Sequence, residues 1–116
     1  MFEGRAQEAI DLYVSLFDSA EIGEVQRYEN GTIIQAEFKL GEHEYIIIDS
    51  PISHDFTFTP ATSIFVDCES TAELEKLFET LSQDGKVYMP LGDYGFSQQF
   101  GWATDRFGVS WQLNLP

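Results

Sequence analysis

The sequence is short of positive charge. Six lysines and arginines stand against 20 aspartates and glutamates in 116 residues, a formal net charge of −14. Nucleic-acid backbones would be repelled, because binding them needs a basic face. Anionic membrane surfaces are disfavoured for the same reason. A cationic ligand or partner would be attracted, although solubility alone also accounts for such a charge. Cysteine is almost missing as well. Cys68 stands alone, which excludes an intrachain disulfide and a CxxC metal knuckle. A single thiol fits a reducing compartment and sets the expectation of a cytoplasmic protein. Histidine is limited to His43 and His54. There is no Ser-His-Asp spacing, no phosphate loop and no basic patch. No apolar run approaches the roughly 20 residues of a membrane span, and no signal-peptide pattern stands at the start.

Apolar residues are plentiful. They make up 43% of the chain, aromatics 15%, and ten residues are Phe. This is the composition of one packed domain, and it argues against disorder. The phenylalanines either fill a core or line a cavity.

Periodicity then divides the chain. In residues 4–17, Ala6, Ala9, Ile10, Tyr13, Val14 and Phe17 share one helical face. From Glu21 to Tyr28 the pattern alternates loosely, as in a strand, and Asn30-Gly31 is a hairpin turn signal. Ile34, Ala36, Phe38 and Leu40 alternate with polar residues, which predicts a half-buried strand. After a turn at Gly41-Glu42, Tyr45 to Asp49 forms another strand, and His43 falls in the turn. Residues 51–60 read as a linker. The second half opens on a strand from Ser63 to Cys68. Ser70-Thr71-Ala72-Glu73 is a capping box, and Leu74, Leu77, Phe78 and Leu81 form the apolar face of the helix it starts. Asp84-Gly85 ends that helix. Strands follow at Lys86–Met89, Phe96–Ala103 and Val109–Leu115. Both halves therefore run helix, strand, hairpin, and the leading strand of the first half shrinks to a stub at Met1–Glu3. The expected fold is α+β, with a βαβββ module at about 1–50 and a second at about 61–116. Each helix should cover one sheet face, leaving the other faces to curve round a shared cup.

Three blocks carry a resemblance: FEGRAQEAIDLYVSLF near the start, FTPATSIFVDCESTAELEKLFETLSQDG in the middle and GWATDRFGVSWQLNLP at the end. Together they resemble the PhnB-like branch of the vicinal oxygen chelate superfamily, whose domain label is 3-demethylubiquinone 3-methyltransferase. The last block is the most specific, with Asp105, Gly108 and Gln112 in a D-x-x-G-x-x-x-Q pattern. The resemblance implies the paired-module cup. It also implies where a divalent ion would be held in metal-dependent relatives. Carried over, the last-strand carboxylate falls on Gln112, the His slot opening the second half on Ser63, and the last strand of the first half offers Ile47. The slot on the opening strand is left without a residue. An amide, a hydroxyl and an alkyl group are poor donors for a first-row ion. No metal and no cofactor are expected. The methyltransferase label implies a doubly wound domain with a glycine-rich turn, and the chain has neither.

Strand alternation sends Ile34, Ala36, Phe38, Ile46, Ile48, Ile64, Val66, Trp111 and Leu113 towards the helices. It sends Gln35, Glu37, Tyr45, Ile47, Asp49, Ser63, Phe65, Gln112 and Asn114 to the cup. Gln35, Ile47, Ser63, Phe65 and Gln112 are the ligand-binding candidates, and a small organic molecule suits such a lining better than a bare ion. A solvated face or a dimer contact suits it too. Glu37 and Asp49 would form an acid pair if both face the cup. Asp105 and Gly108 are expected to build a turn, and Cys68 to be a packed thiol.

Three functions remain open. One is a metal-free binder of a small organic ligand, with or without catalysis. The second is a metal-dependent glyoxalase- or dioxygenase-type enzyme. The third is sequestration of a cationic antibiotic, as in bleomycin-resistance relatives. The stub strand would leave a sheet edge open, so a homodimer is expected.

Overall fold

The first helical stripe becomes helix α1 (Ala6–Leu16), which buries Ala6, Ala9, Ile10 and Tyr13. Val14 was expected on the same face but is largely exposed. It lies about 80° round the helix from Ala6, at the margin of a stripe centred on Ile10 and Tyr13. The computed structural model describes all 116 residues. They form a mixed α+β fold whose chain divides into two compact units, Met1–Thr57 and Phe58–Pro116.

In the first unit α1 leads into β1 (Ala20–Arg27), β2 (Ile33–Leu40) and β3 (His43–Ile47), an antiparallel sheet in the order β1-β2-β3. Gly31, in the left-handed region at φ 88°, makes the turn between β1 and β2. The expected opening strand survives as one parallel bridge, Phe2 to Asp49, fixed by Phe2 N donating to Ile48 O and Ser50 N to Phe2 O. His43 is the first residue of β3, opposite Leu40, so the turn is confined to Gly41-Glu42.

Two facings differ from simple alternation. Between Gln26 and Arg27 of β1 the partner on β2 jumps from Gln35 to Ile33. This bulge inserts Ile34, so Ile33 is fully buried and Ile34 is exposed. On β3, Ile47 lies opposite Ala36 and Tyr45 opposite Phe38. Directly opposed residues share a sheet face, and the Phe38 ring meets Tyr13 of α1 with centroids 6.1 Å apart. Ile47 and Tyr45 therefore belong to the helix side. Ile46, expected there, is 58% exposed on the other face.

The second unit is β4 (Ile64–Asp67), α2 (Thr71–Ser82), β5 (Lys86–Gly92), β6 (Gln99–Thr104) and β7 (Ser110–Leu115). Its sheet runs β4-β7-β6-β5, with β4 and β7 parallel and the other pairs antiparallel. The strand order around the Phe2 bridge in the first unit is the same. Helix α2 starts at the expected capping box: Ser70 Oγ accepts from Glu73 N at 3.1 Å, and Glu73 Oε2 accepts from Glu69 N at 3.0 Å. Leu74, Leu77 and Leu81 are buried, each contributing about 1.5–3 kcal/mol of burial energy. Strand β5 continues through Pro90, which an edge strand tolerates because that residue has no inner partner to serve. Glycine is required at position 85 by space. A Cβ there would stand 1.9 Å from the Thr104 carbonyl oxygen, and backbone cannot rotate out of the way. Neither helix is long and apolar enough to cross a membrane.

Cys68 is buried where β4 ends. Desolvation, with Glu73 and Asp67 nearby, pushes its thiol up to about 11. At pH 8 that lowers the thiolate fraction about 100-fold relative to a free thiol. Iodoacetamide should therefore label the native protein at least that much more slowly than the protein in denaturant. Equal rates would show a reactive thiol. The folded state also holds this proton more tightly than the unfolded one. The thiol's contribution to stability is thus complete below the unfolded pKa and is lost as pH climbs towards 11.

Candidate functional site

The second sheet has an unusual division of side chains. Strand β6 places Gly101 and Ala103 opposite Leu113 and Trp111, on the side of α2. A Cβ on Gly101 would meet the Phe78 ring at 2.6 Å, so the small residue is what lets α2 approach. The large residues of β6, Phe100 and Trp102, are sent to the opposite face. There the ladder lines up rows across the strands. Ser110 pairs with Thr104; Phe65 pairs with Gln112 and Gln112 with Trp102; Asp67 pairs with Asn114 and Asn114 with Phe100.

This face carries polar groups among its rings. Ser110 Oγ meets Ser63 Oγ at 2.6 Å and accepts from Trp102 Nε1 at 2.8 Å. Trp102 also lies against Tyr88, with centroids 5.0 Å apart. Phe100 is contacted by Phe65, Tyr94 and Phe96. Phe100 itself is buried, whereas Phe65 is 54% exposed. The β5–β6 connection brings Tyr94 and Phe96 back over Phe100. Asp93 Oδ1 accepts from Gly95 N at 2.8 Å and Tyr94 Oη donates to Pro90 O at 2.6 Å, which fixes that loop.

Of the five residues expected to bind ligand, Ser63, Phe65 and Gln112 come together here. Gln35 and Ile47 belong to the first unit. Gln35 is exposed and pairs with Gln26. Ile47 is buried on the α1 side, which corrects the facing assigned to it. Phe100, Trp102 and Ser110 were missed. The readable signal was the alternation Phe100-Gly101-Trp102-Ala103, whose large residues cannot lie on the same side as the small ones.

The acid pair does not form. Asp49 is buried, and its carboxylate is committed to the backbone: Oδ1 accepts from Gly4 N and Ala6 N at 2.9 and 3.0 Å, and Oδ2 from Ile33 N at 2.9 Å. Glu37 lies across from Ile46, on the opposite face from Ile47, and accepts from Glu24 N at 3.4 Å. His54 accepts from or donates to Ser50 Oγ at 2.8 Å and lies against Phe56, and His43 is exposed.

Hollows of about 290 Å³ and 570 Å³ open on the first unit. One is lined by Glu21, Glu37, Lys39, Glu44 and Ile46, the other by Glu3, Tyr28, Glu29, Asn30 and Asp49. Exposed charges line both, with Ile22, Phe38 and Tyr45 beside them in the first, and the buried Asp49 carboxylate in the second is already satisfied. In the second unit, rings, an amide and hydroxyls converge on one sheet face.

The inherited metal positions do not fit a divalent ion. Ile47 has no donor atom, Ser63 Oγ is bonded to Ser110 Oγ, and Gln112 offers one neutral oxygen. No three His, Cys, Asp or Glu side chains gather elsewhere.

Residues 1–114 match the family described as 3-demethylubiquinone-9 3-methyltransferase. A PhnB protein from Bacillus cereus is 50% identical, with a TM-score of 0.95 over 100% of this chain and 95% of that one. The Pseudomonas aeruginosa protein PA1353 is 28% identical, with a TM-score of 0.84 over 98% and 91% of the two chains. Protein YjdN of Escherichia coli (strain K12) is 25% identical over 89 residues, covering 77% of this chain and 60% of that protein. The chain thus spans less than two thirds of that curated relative's length.

Proposed function

This chain belongs to the PhnB-like family described as 3-demethylubiquinone-9 3-methyltransferase, and on that premise we propose that it binds a small organic molecule on the sheet face of its second unit turned away from α2. The observation that carries the reading is the row Phe65–Gln112–Trp102 beside the Ser63–Ser110 hydroxyl pair. A planar ligand stacks on such rings, and the neighbouring amide and hydroxyl groups fix its orientation. Phe65 rests on Phe100 yet leaves half of its ring open to a partner.

The methyltransferase in the family's description would need a methyl-donor site. Two extended segments enter a helix beside a parallel neighbour: the Phe2 stub, whose turn holds Gly4 but whose helix start is already filled by the Asp49 carboxylate, and β4. The turn after β4, Cys68-Glu69-Ser70, contains no glycine, and the Glu73 carboxylate occupies the helix start. These residues do not fit a nucleotide-type cofactor, and we derive no methyl transfer.

Trp102 is a built-in reporter. A panel of planar metabolites should contain compounds that raise the melting temperature and change Trp102 fluorescence. Trp111, buried on the α2 side, should respond little. Phe65→Ala should weaken such a compound about tenfold, or about 1.4 kcal/mol, with stability nearly unchanged because the ring is half exposed. A panel without a single stabilising compound would overturn the reading, as would hits indifferent to both Phe65→Ala and Trp102→Phe.

A further inference from the structure

One row along from Gln112, Asn114 is 8% exposed. Its amide nitrogen donates to Asp67 Oδ1 at 2.9 Å. Its carbonyl oxygen, Oδ1, is buried and has no hydrogen-bond partner. An asparagine's orientation is assigned from its neighbours, and here Asp67 decides it. A flipped amide would press its oxygen against a carboxylate oxygen and lose the one bond the side chain makes. The unmatched group is therefore an acceptor. Leaving a buried acceptor unmatched costs about 1–3 kcal/mol, and a leucine in its place would avoid that cost.

We propose that Asn114 Oδ1 is the polar anchor of the ligand face, reading an N–H or O–H on the bound molecule. This rests on the binding face described above and narrows the ligand class. Phe65, one row away on β4 and packed on the buried Phe100, holds the apolar body of the ligand. The Asp67 carboxylate, by accepting from the amide nitrogen, polarises the amide and strengthens Oδ1 as an acceptor. The same carboxylate repels anions. The face thus selects a neutral or cationic planar molecule with a hydrogen-bond donor on its rim, and rejects carboxylates and phosphates.

The test uses indole and 1-methylindole, the same ring system with and without its N–H, titrated into the 15N-labelled protein. Indole should bind about tenfold more tightly, with shifts centred on Phe65, Trp102 and Asn114. Only indole should move the Asn114 side-chain amide resonances. Asn114→Leu should abolish the preference and leave 1-methylindole binding in place. If both indoles bind at Phe65 and Trp102 with equal affinity, or the preference persists in Asn114→Leu, the anchor is wrong and the binding face stands. If neither shifts Phe65 or Trp102, the binding face fails with it. The wild-type side-chain resonances decide the matter even if the leucine variant does not fold.

Discussion

Asp49→Ala is expected to lower the melting temperature by roughly 12–20 °C, from a loss of about 3–5 kcal/mol. Its carboxylate joins three stretches of chain that are far apart in sequence. Oδ1 takes the amides of Gly4 and Ala6 at the start of α1, and Oδ2 takes the Ile33 amide at the start of β2. Asp49 N in turn donates to Ile33 O. Alanine leaves buried N–H groups with nothing to bond, and it removes a negative charge from a helix N-terminus, where such a charge is stabilising. A domain of this size has only about 5–15 kcal/mol in hand. Asp49→Asn keeps one acceptor oxygen but turns an NH2 towards amide donors, so it should fall between wild type and alanine. Amide exchange gives the local check: Gly4, Ala6 and Ile33 should lose protection first. Unchanged melting in the alanine variant would show that water replaces the carboxylate, contrary to its burial.

The second large effect belongs to Asp105, which is buried in the β6–β7 turn. Oδ1 accepts from Phe107 N and Val109 N at 2.9 and 3.0 Å, and Oδ2 from Trp111 Nε1 at 3.0 Å. Gly108 completes the turn at φ 94°. Asp105→Ala should cost about 3–4 kcal/mol, because the Trp111 indole N–H is too deep to find water. Near-ultraviolet dichroism of Trp111 should weaken along with stability. Asp105→Asn can still serve the two backbone amides but presents a donor to the indole, so about half the loss is expected. A stable alanine variant with an unaltered Trp111 signal would contradict this account.

The two aspartates mark different limits of reading a chain. Asp105 was expected to build a turn because its partners lie within six residues, at spacings that local geometry dictates. Asp49 looked like a cup-facing acid because its partners lie 16 to 45 residues away. No local pattern encodes them. Ile47 was misfaced for a related reason. Alternation fixes which residues share a side, but it does not say which side meets the helix. On β2 the bulge at Ile34 resets the phase partway along the strand. Phe100 and Trp102 were overlooked because large residues usually mark the core. Here the close approach of α2 over Gly101 reserves the core side for small ones.

The sequence by itself determined the two βαβββ modules, the capping box at Ser70, the turns at Asn30-Gly31 and Asp105–Gly108, and the buried thiol. Each depends on periodicity or on chemistry within a few residues. Only the tertiary structure decided which face of each strand meets a helix. It moved Ile47 to the α1 side, committed Asp49 to three backbone amides, and set Ser63, Phe65 and Gln112 beside Trp102 and the unmatched oxygen of Asn114. Register and facing come from pairing distant strands and from how close a helix can pack, and neither is written in any single segment.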